Sequence, residues 1–234
     1  MPEDHRKLPE ERKRSEIDAF LRQVAAAPVA ARPTAGRLIF ALDATASRQP
    51  TWDRACHIQA EMFAATGVLG GLAMQLCYFR GFAEFHVAPW LTDAQALVRR
   101  MTAVMCLAGT TQMTRVLRHA IHEAASARVN ALVYVGDCME ERAGTITELA
   151  GKLGLLGVPA FVFQEGHDPV ARRVFRQVSQ LTNGAYASFD AASAKTLRDL
   201  LMAVAVYAAG GRKALADYSE RSGGDVAQLT RQLR

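Results

Sequence analysis

The sequence predicts an α/β fold: a doubly wound, mostly parallel sheet with helices on both faces and one antiparallel edge strand. Three observations predict it. Apolar runs of strand length alternate with segments of helical periodicity from residue 37 to residue 209, the pattern of a sheet wrapped on both sides. The runs 38–42 (LIFAL) and 130–135 (NALVYV) contain no charged residue, as strands covered on both faces demand. The pair 72–80 and 83–87, separated by Gly81, has the length and spacing of an antiparallel hairpin, which supplies the edge strand.

Taken in order, residues 9–26 place Ile17, Phe20, Leu21 and Val24 at helical spacing, so a short amphipathic helix is expected. Residues 27–36 hold two prolines among small residues and read as a linker. The first strand follows, and Pro50 opens a helix over 50–66, where its missing N–H is harmless. Glycines between 67 and 71 break that helix before the hairpin. Helices are expected over 92–107 and 112–127, with a tight polar turn, Ala108-Gly109-Thr110-Thr111, between them. Then come strand 130–135, helix 145–155 stopped at Gly157, strand 158–164, and helix 169–182 capped by Asn183-Gly184. Strand 185–189 and helix 194–209 close the domain at Gly210-Gly211. The expected organisation is an extension with linker over 1–36, one domain over 37–210, and a polar tail over 211–234.

Composition excludes several function classes. Half of the 234 residues are hydrophobic and 22% are charged, which suits a packed domain rather than a disordered chain. The net charge of +5 sits largely near the two ends, with no aromatic-studded basic stripe in the middle, so a nucleic-acid partner is not expected. No run is long and apolar enough for a membrane span, and the charged start lacks a secretory h-region. Cys56, Cys77, Cys106 and Cys138 are widely spaced, with no CxxC pair, and read as reduced core residues of a cytoplasmic protein. A GxxxxGK[ST] loop, a GxGxxG turn and a GxSxG elbow are all missing, which argues against nucleotide binding and serine hydrolysis.

The chemistry concentrates at strand ends. Asp43, Thr45 and Ser47 alternate with two alanines directly after the first strand; Thr110 and Thr111 close a turn; Asp137 follows the strand 130–135. Open α/β sheets bind ligands at the carboxyl ends of their strands. All these donors are oxygen, which suits Mg²⁺, Mn²⁺ or Ca²⁺ and argues against zinc or copper. Two carboxylates with three hydroxyls do not enclose an ion, so water or a carboxylate from elsewhere must complete the shell. Bland roles exist for each residue: Asp43 can begin a turn, and Ser47 and Thr111 can cap helices.

Over roughly residues 37–209 the chain resembles the von Willebrand factor type A (VWA) family. Asp43-Ala44-Thr45-Ala46-Ser47 is similar to the Asp-x-Ser/Thr-x-Ser motif of that family's metal-ion-dependent adhesion site. Thr111 matches its later threonine and Asp137 its last aspartate; Thr110 and Cys138 stand where the family usually has glycine. The resemblance implies a Rossmann-like sheet and an Mg²⁺ site (or Mn²⁺ or Ca²⁺) at Asp43, Thr45, Ser47, Thr111 and Asp137. It further implies a protein partner that donates an acidic side chain to the ion, and no catalysis. The expected function is a divalent-cation-dependent protein-binding module in an intracellular complex.

Two rival readings remain. Gly136-Asp137 with Glu140 and Glu141 is similar to the acidic motif of haloacid-dehalogenase-like phosphatases. Those enzymes need a second Asp two residues after the first, and Thr45 stands there instead, so the acid that protonates the leaving group is missing. A metal-free scaffold is the other. His119 and His122, three apart on one helix, lack a third nitrogen or a cysteine for a metal, and Trp90 serves equally as a core residue or a partner anchor.

Overall fold

The computed structural model describes residues 19, 36–49, 72–190 and 194–221. The helix expected over 50–66, nearly all of the N-terminal extension and the far end of the tail lie outside the described residues.

The strands are β1 (Gly36–Asp43), β2 (Leu72–Arg80), β3 (Glu84–Val87), β4 (Ala131–Gly136), β5 (Ala160–Glu165) and β6 (Ala185–Phe189). The described helices are α1 (Ala94–Thr102), α2 (Met113–Ser126), α3 (Ala143–Leu155), α4 (Pro169–Leu181) and α5 (Ala194–Arg221). The sheet order is β3-β2-β1-β4-β5-β6. Every pairing is parallel except β2 with β3, so the expected antiparallel edge strand is present.

Strand alternation divides the core between the two faces of the sheet. Leu38, Phe40 and Leu42 of β1 pack with Leu97 and Met101 of α1 and with the buried run 201–208 of α5. Ile39 and Ala41 face the other way, onto Val116 and Leu117 of α2, Ile146 and Leu153 of α3, and Val174 and Phe175 of α4. With both faces covered, residues 38–42 of β1 and all of β4 need the uncharged sequence they have.

Element ends follow identifiable caps. Asp93 caps α1 by accepting from the Gln95 N–H at 2.9 Å, and Asp168 caps α4 through the Ala171 N–H, with Pro169 in the first turn. At the end of α3, Gly157 takes φ 70°, and its N–H and that of Val158 return to the carbonyls of Gly154 and Leu153. At the end of α4, Asn183 takes the left-handed position, with φ 54°. Its N–H donates to Gln180, and that of Gly184 to Ser179. Gly184 is therefore not the left-handed residue of the cap. A β-carbon there would lie 1.9 Å from the Ala160 carbonyl oxygen, so close approach to β5 is what excludes a side chain.

Two expected helices have different limits. The one expected over 92–107 ends at Thr102, and Leu107 beyond it is bridged in parallel to Thr45 instead. That backbone pairing competes successfully with a helical periodicity that continues through Met105. The last helix passes its expected end at Ala209 by a kink at Gly211, with φ 72° and ψ −163°, and continues to Arg221.

The packing at β5 predicts that Gly184→Ala destabilises the protein by about 1–3 kcal/mol, the usual cost of overpacking. Asn183→Gly, which keeps the left-handed turn, is expected to be near neutral. Urea unfolding of both variants checks this; equal midpoints would remove the assigned role of Gly184.

Candidate metal centre

The direction of chain progression reverses between β1 and β4. β1 pairs with β2 on one side and β4 on the other, which makes the carboxyl ends of β1 and β4 the topological switch point where open α/β sheets bind ligands. Asp43 is the last residue of β1, and Asp137 immediately follows β4. The fold thus carries the two sequence-identified aspartates to the two lips of one crevice.

Asp43 is fully buried. Its Oδ1 accepts the Thr45 N–H at 2.8 Å, which turns the chain sharply, and the Thr45 and Ser47 hydroxyls then lie 3.1 Å apart. Backbone bonds pin this turn on one flank: Ala44 N–H to Phe79 O at 2.9 Å, and Leu107 N–H to Ala44 O at 3.1 Å. The short 3₁₀ segment Ala46–Arg48 follows. Thr111 is also buried, just before α2, and joins the β4–α3 connection through a reciprocal pair. Its N–H donates to Glu140 Oε2 at 2.9 Å, and its Oγ1 accepts the Glu140 N–H at 3.1 Å. Beside it, both carboxylate oxygens of Glu141 accept from the Thr114 N–H at 3.1 Å, satisfying a donor at the start of α2.

Neither departure from glycine strains the loops. Asn183 is the one non-glycine residue with positive φ among the described residues, so Thr110 and Cys138 both sit in ordinary backbone conformations.

Burial dominates the electrostatics at Asp43. Burial pushes the Asp43 carboxyl up to about 6; the Thr45 hydroxyl and N–H pull it back, nearby Asp137 raises it further, and Arg48 lowers it. Asp43 Oδ2 and Asp137 Oδ1 are both buried, with no hydrogen-bond partner among the described residues. Beneath them the Tyr134 hydroxyl is likewise buried and unpartnered, and its pKa is driven well up by burial and then by the Asp43 charge. Burial followed by the Asp137 charge raises the Cys138 thiol, which keeps it protonated. Buried carboxylate oxygens left without donors carry a desolvation cost that a cation would relieve.

The donor set fits a hard divalent ion: two carboxylates and three hydroxyls, all oxygen. Among the described residues no three of His, Cys, Asp and Glu lie together as a metal-holding group.

Four further residues shape the site. Arg48, fully buried, brings Nε to 2.9 Å from Glu165 Oε2 at the end of β5 and so ties the Thr45–Ser47 turn to a third strand. Tyr134 floors the crevice, and Glu140 and Glu141 brace Thr111 and α2. A tyrosine at an inward position near the end of an otherwise apolar strand was the one readable signal for Tyr134. Nothing local marks Arg48, because its partner is 117 positions along the chain. The expected ambiguity at His119 and Trp90 resolves to packing. His119 Nε2 meets Gln75 Oε1 at 2.7 Å, and Trp90 donates to Glu123 at 2.8 Å beneath the Arg37 guanidinium.

No family model and no curated protein sequence matches the chain. Solved structures do. A von Willebrand factor type A protein from Catenulispora acidiphila superposes with a TM-score of 0.60 at 16% identity, over 72% of this chain and 42% of that one. The SpRpn10 VWA domain gives 0.58 at 11% identity, over 72% of this chain and 94% of its own. The chain has the von Willebrand factor type A fold. A mussel byssus protein, proximal thread matrix protein 1, is similar to it as well, with a TM-score of 0.59 and 14% identity over 74% of this chain and 48% of that one. The chain thus spans less than half of two of these relatives and nearly all of the third. At such identities the likeness is one of VWA architecture.

A raised carboxyl pKa makes a signed prediction. Between about pH 4 and pH 6 the folded state holds a proton on Asp43 that the unfolded state has lost, so stability falls as pH rises through that window. A shift of roughly two units corresponds to about 3 kcal/mol. In EDTA at neutral pH, Asp43→Asn is therefore expected to melt about 5 °C or more above wild type. The gap should close near pH 4. A lower melting temperature for the variant at neutral pH would show that the carboxylate is not the burden described.

Proposed function

We propose that this VWA-fold domain is a divalent-cation-dependent protein-binding module. The observation that carries the reading is the pair of buried carboxylate oxygens, Asp43 Oδ2 and Asp137 Oδ1, facing the crevice at the switch point without hydrogen-bond partners among the described residues. Asp43, Thr45, Ser47, Thr111 and Asp137 would hold Mg²⁺, or Mn²⁺ or Ca²⁺ in its place. The bound ion would supply a positive charge with an open position for an acidic side chain of a partner protein. Here Asp43 is already buried and its turn already bonded, so the cage needs little reorganisation to receive an ion. The name of one structural relative, the pilus adhesin SpaC from Lactobacillus rhamnosus GG, supports a binding role for this fold.

In this reading the domain does no chemistry of its own. A phosphatase of the haloacid-dehalogenase type would need an acid at position 45, and Thr45 cannot protonate a leaving group. We place the module in a cytoplasmic complex. In support, Cys77, Cys106 and Cys138 form no disulfide.

Thermal melts with and without Mn²⁺ or Mg²⁺ test the cage. Ion at about 100 times its dissociation constant stabilises the folded state by ~2.7 kcal/mol. Wild type should show that rise, and both Asp43→Ala and Asp137→Ala should lose it. An equal rise in the variants would place the ion elsewhere, and no rise in wild type at millimolar ion would favour a metal-free scaffold.

A further inference from the structure

Beside the cage lies an apolar surface that the ion site does not use. Phe82 is 79% exposed, Met105 67% and Leu107 38%. They come from two connections, the β2–β3 turn and the segment between α1 and α2, which backbone bonds tie into one platform. The Gly81 N–H reaches Leu107 O, the Thr110 N–H reaches Gly81 O, and Arg80 Nη1 donates to Met105 O at 3.0 Å. A β-carbon on Gly109 would lie 1.9 Å from Gly81 O, so the two connections touch through backbone. The same platform is joined to the cage by the Leu107–Ala44 hydrogen bond and the Leu107–Thr45 bridge.

Single exposed apolar residues are ordinary; here three stand on one backbone-braced platform beside the candidate cage. Charge points the same way. Arg115 Nη1 donates to Ala83 O at 2.7 Å and to Gln112 Oε1 at 3.0 Å, both neutral acceptors, so its positive charge stands at this rim without a carboxylate among those contacts.

We infer that Phe82, Met105 and Leu107 form a docking shelf for a protein segment in which the ion-binding Glu or Asp is flanked by large apolar residues. The inference rests on the cation-dependent reading above and adds the sequence class of the partner. The ion takes the carboxylate, Arg115 adds positive potential at the rim, and the shelf selects the neighbours of the acid. A braced shelf loses little entropy on binding, so the apolar contacts are realised as affinity.

The test uses the full chain immobilised in Mn²⁺ and a displayed peptide library with one fixed glutamate and randomised flanks. Selection should enrich large apolar residues next to the glutamate, and EDTA should release the peptides. The double variant Phe82→Ser/Met105→Ser changes two side chains largely in water, so it should keep the wild-type melt and the wild-type Mn²⁺ shift. It should nevertheless bind the selected peptides about tenfold or more weakly. EDTA-sensitive peptides without apolar flanks, an unchanged affinity in the double variant, or an intact Mn²⁺ shift with no peptide enriched would overturn the shelf and leave the cage standing. Absence of any Mn²⁺ shift in wild type would overturn both.

Discussion

A carboxylate shut away from water governs the carboxyl edge of this sheet. Asp43 ends a strand that is covered on both faces, so the position that aims it into the crevice also removes its solvent. One of its oxygens is satisfied by the Thr45 N–H; the other depends on whatever enters the crevice. Asp137 faces the same gap from the next strand and raises the cost of ionising Asp43. Two acids held that way are unfavourable alone, and the proposed cation would offset that cost.

The surroundings hold this arrangement in place. Arg48 and Glu165 form a buried pair that links the Thr45–Ser47 turn to β5, and such a pair is worth more for position than for net stability. Glu140 and Thr111 exchange backbone and side-chain bonds across 29 positions of sequence, so the loop before α2 is tied to the Asp137 loop. The Leu107 bridge makes the third tie. Each connection around the crevice is therefore braced against another, and the exposed Phe82 and Met105 stand on that frame.

Much of this architecture is legible in one dimension. The uncharged runs of β1 and β4, the hairpin spacing of β2 and β3 and the capping signals at Asp93, Pro169 and Gly157 place the central elements close to where they lie. The five candidate ligands are legible too, because polar side chains at strand ends are conspicuous after apolar runs. Legibility fails where a residue answers to a distant backbone. The α1 pattern runs on through Met105, but the helix stops at Thr102 and Leu107 bonds to Ala44 instead. Asn183-Gly184 reads as a glycine cap, whereas the asparagine takes the left-handed turn and the glycine clears Ala160.

By itself the sequence determined the fold class and the parallel core and put oxygen-bearing side chains at the strand ends, since periodicity and side-chain type are local properties of the chain. Tertiary structure alone decided which oxygens are buried without donors, that Arg48 and Tyr134 lie close to Asp43, and that Phe82 and Met105 stand exposed. Those depend on burial and on contacts between segments far apart in sequence. Desolvation exists only once the chain has closed around a group.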